Sequence, residues 1–244
     1  MISTTYSDRR PALALVRADR FFYCGMALAA IVTVFIGFSR TYYLRSRFQD
    51  GSLPLYLQVH GAAFSAWMML FLTQTSLIAA RRTDVHRRLG WAGAALAVFM
   101  VVIAITAAIL SGRRNYAAGL ENESLTFLTT PVFSMVVFLA LVATAVNHRR
   151  APETHKRLML LATISILDAA TARWPIAIMQ TSSWAYYGFA DLFIAAAIAY
   201  DLISRRRIHP AYVWGGLVIV VSQYLRDVIG QTDTWQTIAR TILS

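Results

Sequence analysis

The chain has one cysteine, one lysine and few charges of any kind, and each shortage closes off a class of explanation. Cys24 alone rules out an intramolecular disulfide and any multi-cysteine metal or iron–sulfur site. Within the first apolar stretch it reads as a small packed residue. A seven-helix retinal protein needs a lysine inside its last span, whereas the only lysine, Lys156, stands in a basic cluster between apolar stretches. Missing too are the histidine boxes of a di-iron desaturase, an H-E-x-x-H pair, a Gly-rich nucleotide loop and a G-x-S-x-G elbow. ATP-driven and serine-hydrolase chemistry therefore have no footing. Charged residues make up only 14% of the 244 residues and hydrophobic ones 57%, against about 25% charged in an ordinary soluble domain. A water-soluble fold has nowhere to hide that much apolar surface.

What is present in place of charge is length. Uncharged runs at 21–38, 51–80, 89–112 and 124–147 are long enough to cross the hydrocarbon, which takes about 20 helical residues. The whole pattern predicts an all-α, single-domain integral membrane bundle of seven helices, at 21–38, 54–80, 89–110, 127–147, 158–179, 184–203 and 210–229. Residues 1–20 are polar and Arg-bearing, and the apolar run behind them is too long for a signal core, so they read as a cytoplasmic tail before a permanent helix. No loop is long enough to be a soluble catalytic domain.

Seven crossings put the termini on opposite sides, and the basic residues respect that. Arg9, Arg10, Arg17, Arg20, Arg81, Arg82, Arg87, Arg88, Arg149, Arg150, Lys156, Arg157, Arg205, Arg206 and Arg207 fall on one side, fifteen in all. Arg40, Arg45, Arg47, Arg113, Arg114, Arg226 and Arg240 fall on the other, seven in all. Since positive loops stay inside, the N-terminus is expected in the cytoplasm of a bacterium and the chain in its inner membrane. Tyr42, Tyr43, Trp184, Tyr186 and Tyr187 suit the interfacial aromatic belt. The net charge of +11 is spread over loops between apolar spans rather than along one face, which points to membrane lipid as partner and away from nucleic acid. A homo-oligomer and a larger membrane complex both remain open.

A short repeat runs through the basic loops. Asp84-Val85-His86-Arg87-Arg88-Leu89 opens the third span and Glu153-Thr154-His155-Lys156-Arg157-Leu158 opens the fifth, each behind an Arg pair. Spans two to five thus read as a duplicated hairpin forming a four-helix core. If the hairpins lie side by side, His86 and His155 approach each other and can ligate one b-type haem, or hold a metal with Asp84 and Glu153. The competing reading makes the acids helix-dipole partners and the basic residues inside-positive anchors.

Deep in the spans, ionisable side chains are costly enough to mark a partner, a cavity or a pathway. Four stand out: His60, Asp168, Arg173 and Asp191. His60, Phe64, Trp67, Phe71 and Gln74 share one face of span two, a surface able to line a flat aromatic or tetrapyrrole ligand; equally, the aromatics pack and His60 bonds a neighbouring helix. Asp168 lies near the midplane beside Ser165 and Thr171, with Pro175 expected to kink the helix. Arg173 and Asp191 lie at similar depth to His60, about 9–12 Å from the outer boundary at 1.5 Å per residue. They form either an ion pair between spans five and six or an outward pocket in which Arg173 receives an anion.

Leu57-Gln58-Val59-His60-Gly61, Gln74, His86-Arg87-Arg88-Leu89-Gly90 and His155-Lys156-Arg157-Leu158-Met159 together resemble a bacterial multispanning membrane family, a domain of unknown function with HG…Q…HRxLG…HKRxM motifs. The resemblance covers roughly residues 55–175 and implies a four-helix core with His60, His86 and His155 marked; Leu158 stands where that family usually has tryptophan. More distantly, the arrangement is similar to b561-like membrane cytochromes, whose two haems need four intramembrane histidines at two levels. Only His60 lies at the outer level here. The leading expectation is a membrane protein with a histidine-containing cavity that binds haem b or serves as another redox-linked component. Its rivals are a proton- or anion-coupled transporter or lipid-binding protein using His60, Asp168, Arg173 and Asp191, and a structural accessory subunit.

Overall fold

The computed structural model describes the backbone from Arg9 onward and the side chains from Leu15 onward; residues 1–8 of the expected tail, and the side chains of Arg9 and Arg10, lie outside the described residues. Among the described residues every regular element is helical. Six helices are long and apolar enough to cross a membrane: Leu15–Tyr43, Leu55–Ala79, Thr83–Ala117, Glu121–Asn147, Ser183–Arg205 and Pro210–Gly230. The chain is a multi-pass membrane protein.

Helix α1 (Arg9–Phe38) takes in much of the expected tail. Its first turns carry Pro11 near the start, where the missing N–H costs nothing, followed by Ala, Leu and Arg, all good helix formers. After a wide turn at Ser39–Tyr43 and a tight one at Arg45–Arg47, α2 (Leu55–Ala79) and α3 (Thr83–Ala117) form a hairpin, and α4 (Glu121–Phe127) runs almost straight into α5 (Thr129–Asn147). Then comes α6 (Pro152–Ile164), with proline in its first turn and Glu153 beside it at the positive end of the dipole.

The expected fifth span, 158–179, is not one helix. After Ile164 the chain continues as two short pieces, α7 (Asp168–Thr171) and α8 (Ala177–Thr181), before α9 (Ser183–Arg205). Pro175 accounts for part of the break, having no N–H and forcing Trp174 out of the helical region. Side chains competing with the ladder account for the rest: Ser165 Oγ donates to the Ala162 carbonyl, and Thr171 Oγ1 to those of Asp168 and Tyr186. Irregular backbone at this position needs protein around it rather than lipid, and α1 provides that cover. Gly37 is essential there, since a Cβ on it would lie 2.1 Å from the Ala170 carbonyl oxygen.

Helix α10 (Pro210–Gly230) packs on α5, α6 and α9. The α2–α3 and α5–α6 hairpins abut through α3 and α5, around a core that includes Trp67, Met100, Phe138, Leu141, Leu158 and Leu161. An amphipathic helix that the sequence pattern did not announce, α11 (Asp233–Leu243), closes the far end. It seats Ala239 and Leu243 on Leu125 and Leu128, and Trp235 Nε1 donates to the Leu125 carbonyl at 2.9 Å.

Candidate functional site

The two repeat histidines open α3 and α6, two helices that end side by side at the Arg-rich end of the bundle. Their ring centroids stand 6.2 Å apart with the planes nearly perpendicular, at 87°. His155 Nδ1 lies 2.8 Å from the Ala145 carbonyl; a carbonyl only accepts, so that nitrogen carries a proton, and in the neutral ring Nε2 is the one with a free lone pair. This is the way a ligating histidine is usually held, by a backbone acceptor on its other nitrogen. His86 Nδ1 is buried with no partner. Gln74, from α2, reaches the same place: its Nε2 donates to the His86 carbonyl at 3.3 Å, while its buried Oε1 has no partner. One turn along α3 from His86, Gly90 has room for a Cβ, which would meet Gln74 Nε2 at an ordinary contact distance of 3.9 Å. An orphaned buried polar atom costs about 1–3 kcal/mol, and two lie beside a glycine that packing does not require.

The acids of the repeat do not join the histidines. Asp84 faces Arg82 at 3.7 Å on an exposed surface, and Glu153 turns to Lys156 and Arg157 at 2.5 and 2.7 Å. Among the described residues no three metal-ligating side chains cluster, so the expected His–acid metal site is not built. Glu153 belongs instead to an ionic clasp that ties α6 to α1 and α9. Arg157, fully buried, grips Asp201 with two parallel bonds of 2.9 and 2.5 Å, and Lys156 and Arg205 both reach Asp19. Desolvation alone would raise the Glu153 carboxyl, but hydrogen bonds from Lys156 and Arg157 outweigh it and hold the group below its ordinary range. Tyr200 donates to Asp19 at 2.6 Å, and the Tyr23 and Tyr212 hydroxyls meet at 3.1 Å behind Arg157.

No protein family, curated protein or solved structure matches the chain.

The expected ligand-lining face of α2 is divided among three jobs. Trp67 is core: 2% exposed, it donates from Nε1 to Thr163 Oγ1 at 3.3 Å and meets Phe138 edge-on at 4.9 Å. His60, at the Arg-poor end, lies 4.4 Å from the Phe64 ring, with a buried Nδ1 that has no partner. Only Gln74 belongs to the His86–His155 site.

The expected Arg173–Asp191 ion pair is not formed. With the helix interrupted after Thr171, residue 173 leaves the phase that a continuous span would give it. Arg173 donates to the Ala169 carbonyl at 2.6 Å and lies 5.0 Å from the Phe38 ring, toward α1 and on the surface of the bundle. Asp191 accepts from Gln223 at 3.1 Å. The partner of Asp168 is Arg226, fully buried in α10 and bonded to it through Nη1; Asp168 Oδ1 also accepts from the Ala169 amide at 2.7 Å. Arg226 therefore belongs to the interior of the bundle and not, as its place in the basic-residue pattern implies, to the outer loops. The signal was available, because Arg226 lies inside the apolar stretch 210–229 and Asp201 inside 184–203, where an ionisable residue demands a partner.

Proposed function

We propose that the chain is a seven-crossing bacterial inner-membrane protein with a cytoplasmic N-terminus, which holds one b-type haem between His86 and His155 near the cytoplasmic face. The fifth crossing in this reading is the broken one, α6 to α8. Moving the two fully buried arginines, Arg157 and Arg226, from loop to interior leaves six basic residues on the Arg-poor side against fourteen on the other, which favours the Arg-rich end as the inner one.

The observation that carries the haem reading is the histidine pair itself: two imidazoles from different helices, 6.2 Å between centroids, one with its tautomer already fixed for ligation. A nitrogen–metal bond is about 2 Å, so that separation accommodates one ion between the rings. With only two protein donors, the other coordination positions need an outside source, and a porphyrin's four nitrogens are such a source. Gly90 and the orphaned His86 Nδ1 and Gln74 Oε1 add room and unspent hydrogen bonding beside the pair. With His60 alone at the other level, a second haem lacks its ligands.

When bound, the group supplies one-electron transfer. The protein's part is to hold it: Ala145 orients His155, α3 and α6 set the spacing, and the exposed Arg87 and Arg88, next to His86 in the chain, add positive charge that favours a ligand bearing carboxylates. The full chain, expressed with ample haem and purified, should show a Soret band that His86→Ala and His155→Ala each abolish. A colourless wild-type preparation sinks the proposal.

A further inference from the structure

At the other end of the bundle, α9 and α10 run antiparallel and meet as two rungs. Tyr187 and Asp191 are four apart on α9, Gln223 and Arg226 three apart on α10, so each pair shares a helix face. In one rung the Arg226 guanidinium lies 5.6 Å over the Tyr187 ring; in the other, Gln223 Nε2 donates to Asp191 Oδ1 at 3.1 Å. Asp168 of α7 completes the first rung as the counter-ion of Arg226. Two carboxyls thus approach one cation, and only Asp168 has it.

That separates Asp191 from the three bundle acids that hold a cation. Asp19 holds Lys156 and Arg205, Asp168 holds Arg226, and Asp201 holds Arg157. Asp191, eight residues into α9, has no basic partner among the described residues and bonds only a neutral amide. Its bonded neighbour is Gln223 from α10, and the charged groups near it are Arg226 from α10 and Asp168 from α7; Tyr187 lies one turn before it on its own helix, while α8 carries no ionisable side chain. A carboxylate without a cation in apolar surroundings is costly enough to take a proton instead. Half-buried rather than sealed, Asp191 also keeps an edge from which that proton can exchange.

We propose that Asp191 is a proton-binding site. Loaded, it is a neutral carboxylic acid beside Gln223; on releasing its proton to water it becomes a carboxylate that competes with Asp168 for Arg226. The broken crossing supplies the freedom this exchange needs, because Asp168 begins a four-residue helix with irregular backbone on both sides. Discontinuous helices that place charged groups inside a bundle are the means by which transporters build ion sites. The site is independent of His86 and His155, which lie at the opposite end.

Infrared spectra of the full chain in phosphatidylcholine vesicles, recorded across pH, test this. Wild type should show the carbonyl stretch of a protonated carboxyl that fades as pH rises, and Asp191→Asn should lack it. Gln223→Leu, which removes the donor that favours the carboxylate form, should move the midpoint to higher pH. Absence of a titrating band in wild type, its survival in Asp191→Asn, or an unmoved midpoint in Gln223→Leu would each overturn the proposal. Asp191→Asn deletes a charge and keeps a hydrogen-bonding partner for Gln223; should it nevertheless fail to insert, the Gln223→Leu titration decides alone.

Discussion

The hexapeptides 84–89 and 153–158 open α3 and α6 with the same order of acid, histidine, two basic residues and leucine, and the bundle treats them differently. In the first copy Asp84 and Arg82 are more than half exposed at 3.7 Å, and Arg87 and Arg88 project from the surface. In the second, Arg157 is wholly buried, Lys156 reaches across to α1, and Glu153 bridges the two. The difference lies in the neighbours: α6 is enclosed by α1, α5, α9 and α10, whereas the first residues of α3 are largely exposed. One pattern of residues therefore yields a loose, basic helix end in one place and a structural lock in the other. Only the histidines keep equivalent positions.

The largest expected effect separates the two arginines. Arg157→Ala leaves a buried Asp201 without its bidentate partner, a loss of about 3–5 kcal/mol for a broken buried pair. The corresponding change in the first copy, Arg88→Ala, removes an exposed side chain and should stay within about 0.5 kcal/mol. Thermal unfolding of the two variants in detergent measures both. Equal losses would mean that the copies are not structurally distinct.

That asymmetry was beyond the reach of the sequence for a plain reason. The six long helices were legible because apolar length is a local property, and the pairing of His86 with His155 was approachable because the repeat marks both. The job of Arg157 depends on Asp201, 44 residues away, and that of Trp67 on Thr163, 96 residues away; neither separation leaves a mark in a window of twenty residues. The break after Ile164 was half legible. Pro175 announced a disturbance, but part of the break rests on a bond that exists only once α9 is in place, from Thr171 Oγ1 to the Tyr186 carbonyl. Arg226 and Asp201 are different, since their positions inside apolar stretches were enough to ask for partners.

A smaller effect distinguishes the two histidines in the cofactor-free chain. His155→Leu forfeits the bond to the Ala145 carbonyl, and the expected loss is about 0.5–1.5 kcal/mol. His86→Leu removes a ring whose Nδ1 has no partner to lose, so its loss should be the smaller of the two. Denaturation of the two variants without haem checks the order, and a reversed order would place the satisfied histidine in the wrong copy.

The residue four positions after each histidine extends the contrast. Met159 follows His155, but Gly90 follows His86 in a helix interior, where glycine costs roughly 0.5–1 kcal/mol relative to alanine. With the nearest atom 3.9 Å from the added carbon, Gly90→Ala should recover that amount in the cofactor-free chain. If a ligand fills the space beside Gln74, the same variant should bind haem more weakly while melting higher. Heme titration beside a melting curve reads both quantities from one preparation.

The smallest effect is in the acids, and it carries a sign. In Glu153 the hydrogen bonds from Lys156 and Arg157 overcome desolvation and hold the folded-state pKa below the ordinary glutamate value of 4.5. A group lowered on folding adds stability above its unfolded value and loses it as pH falls through the lowered one. Glu153→Gln should therefore be less stable than wild type at neutral pH, with the gap closing on the acid side of pH 4.5. Asp84 meets only an exposed arginine at 3.7 Å, a geometry in which solvent screens the pair, and Asp84→Asn should match wild type throughout. Melting temperatures of both variants between neutral and acidic pH give the comparison directly. A gap for Glu153→Gln that persists unchanged into acid would mean that the clasp holds Glu153 by packing rather than by charge.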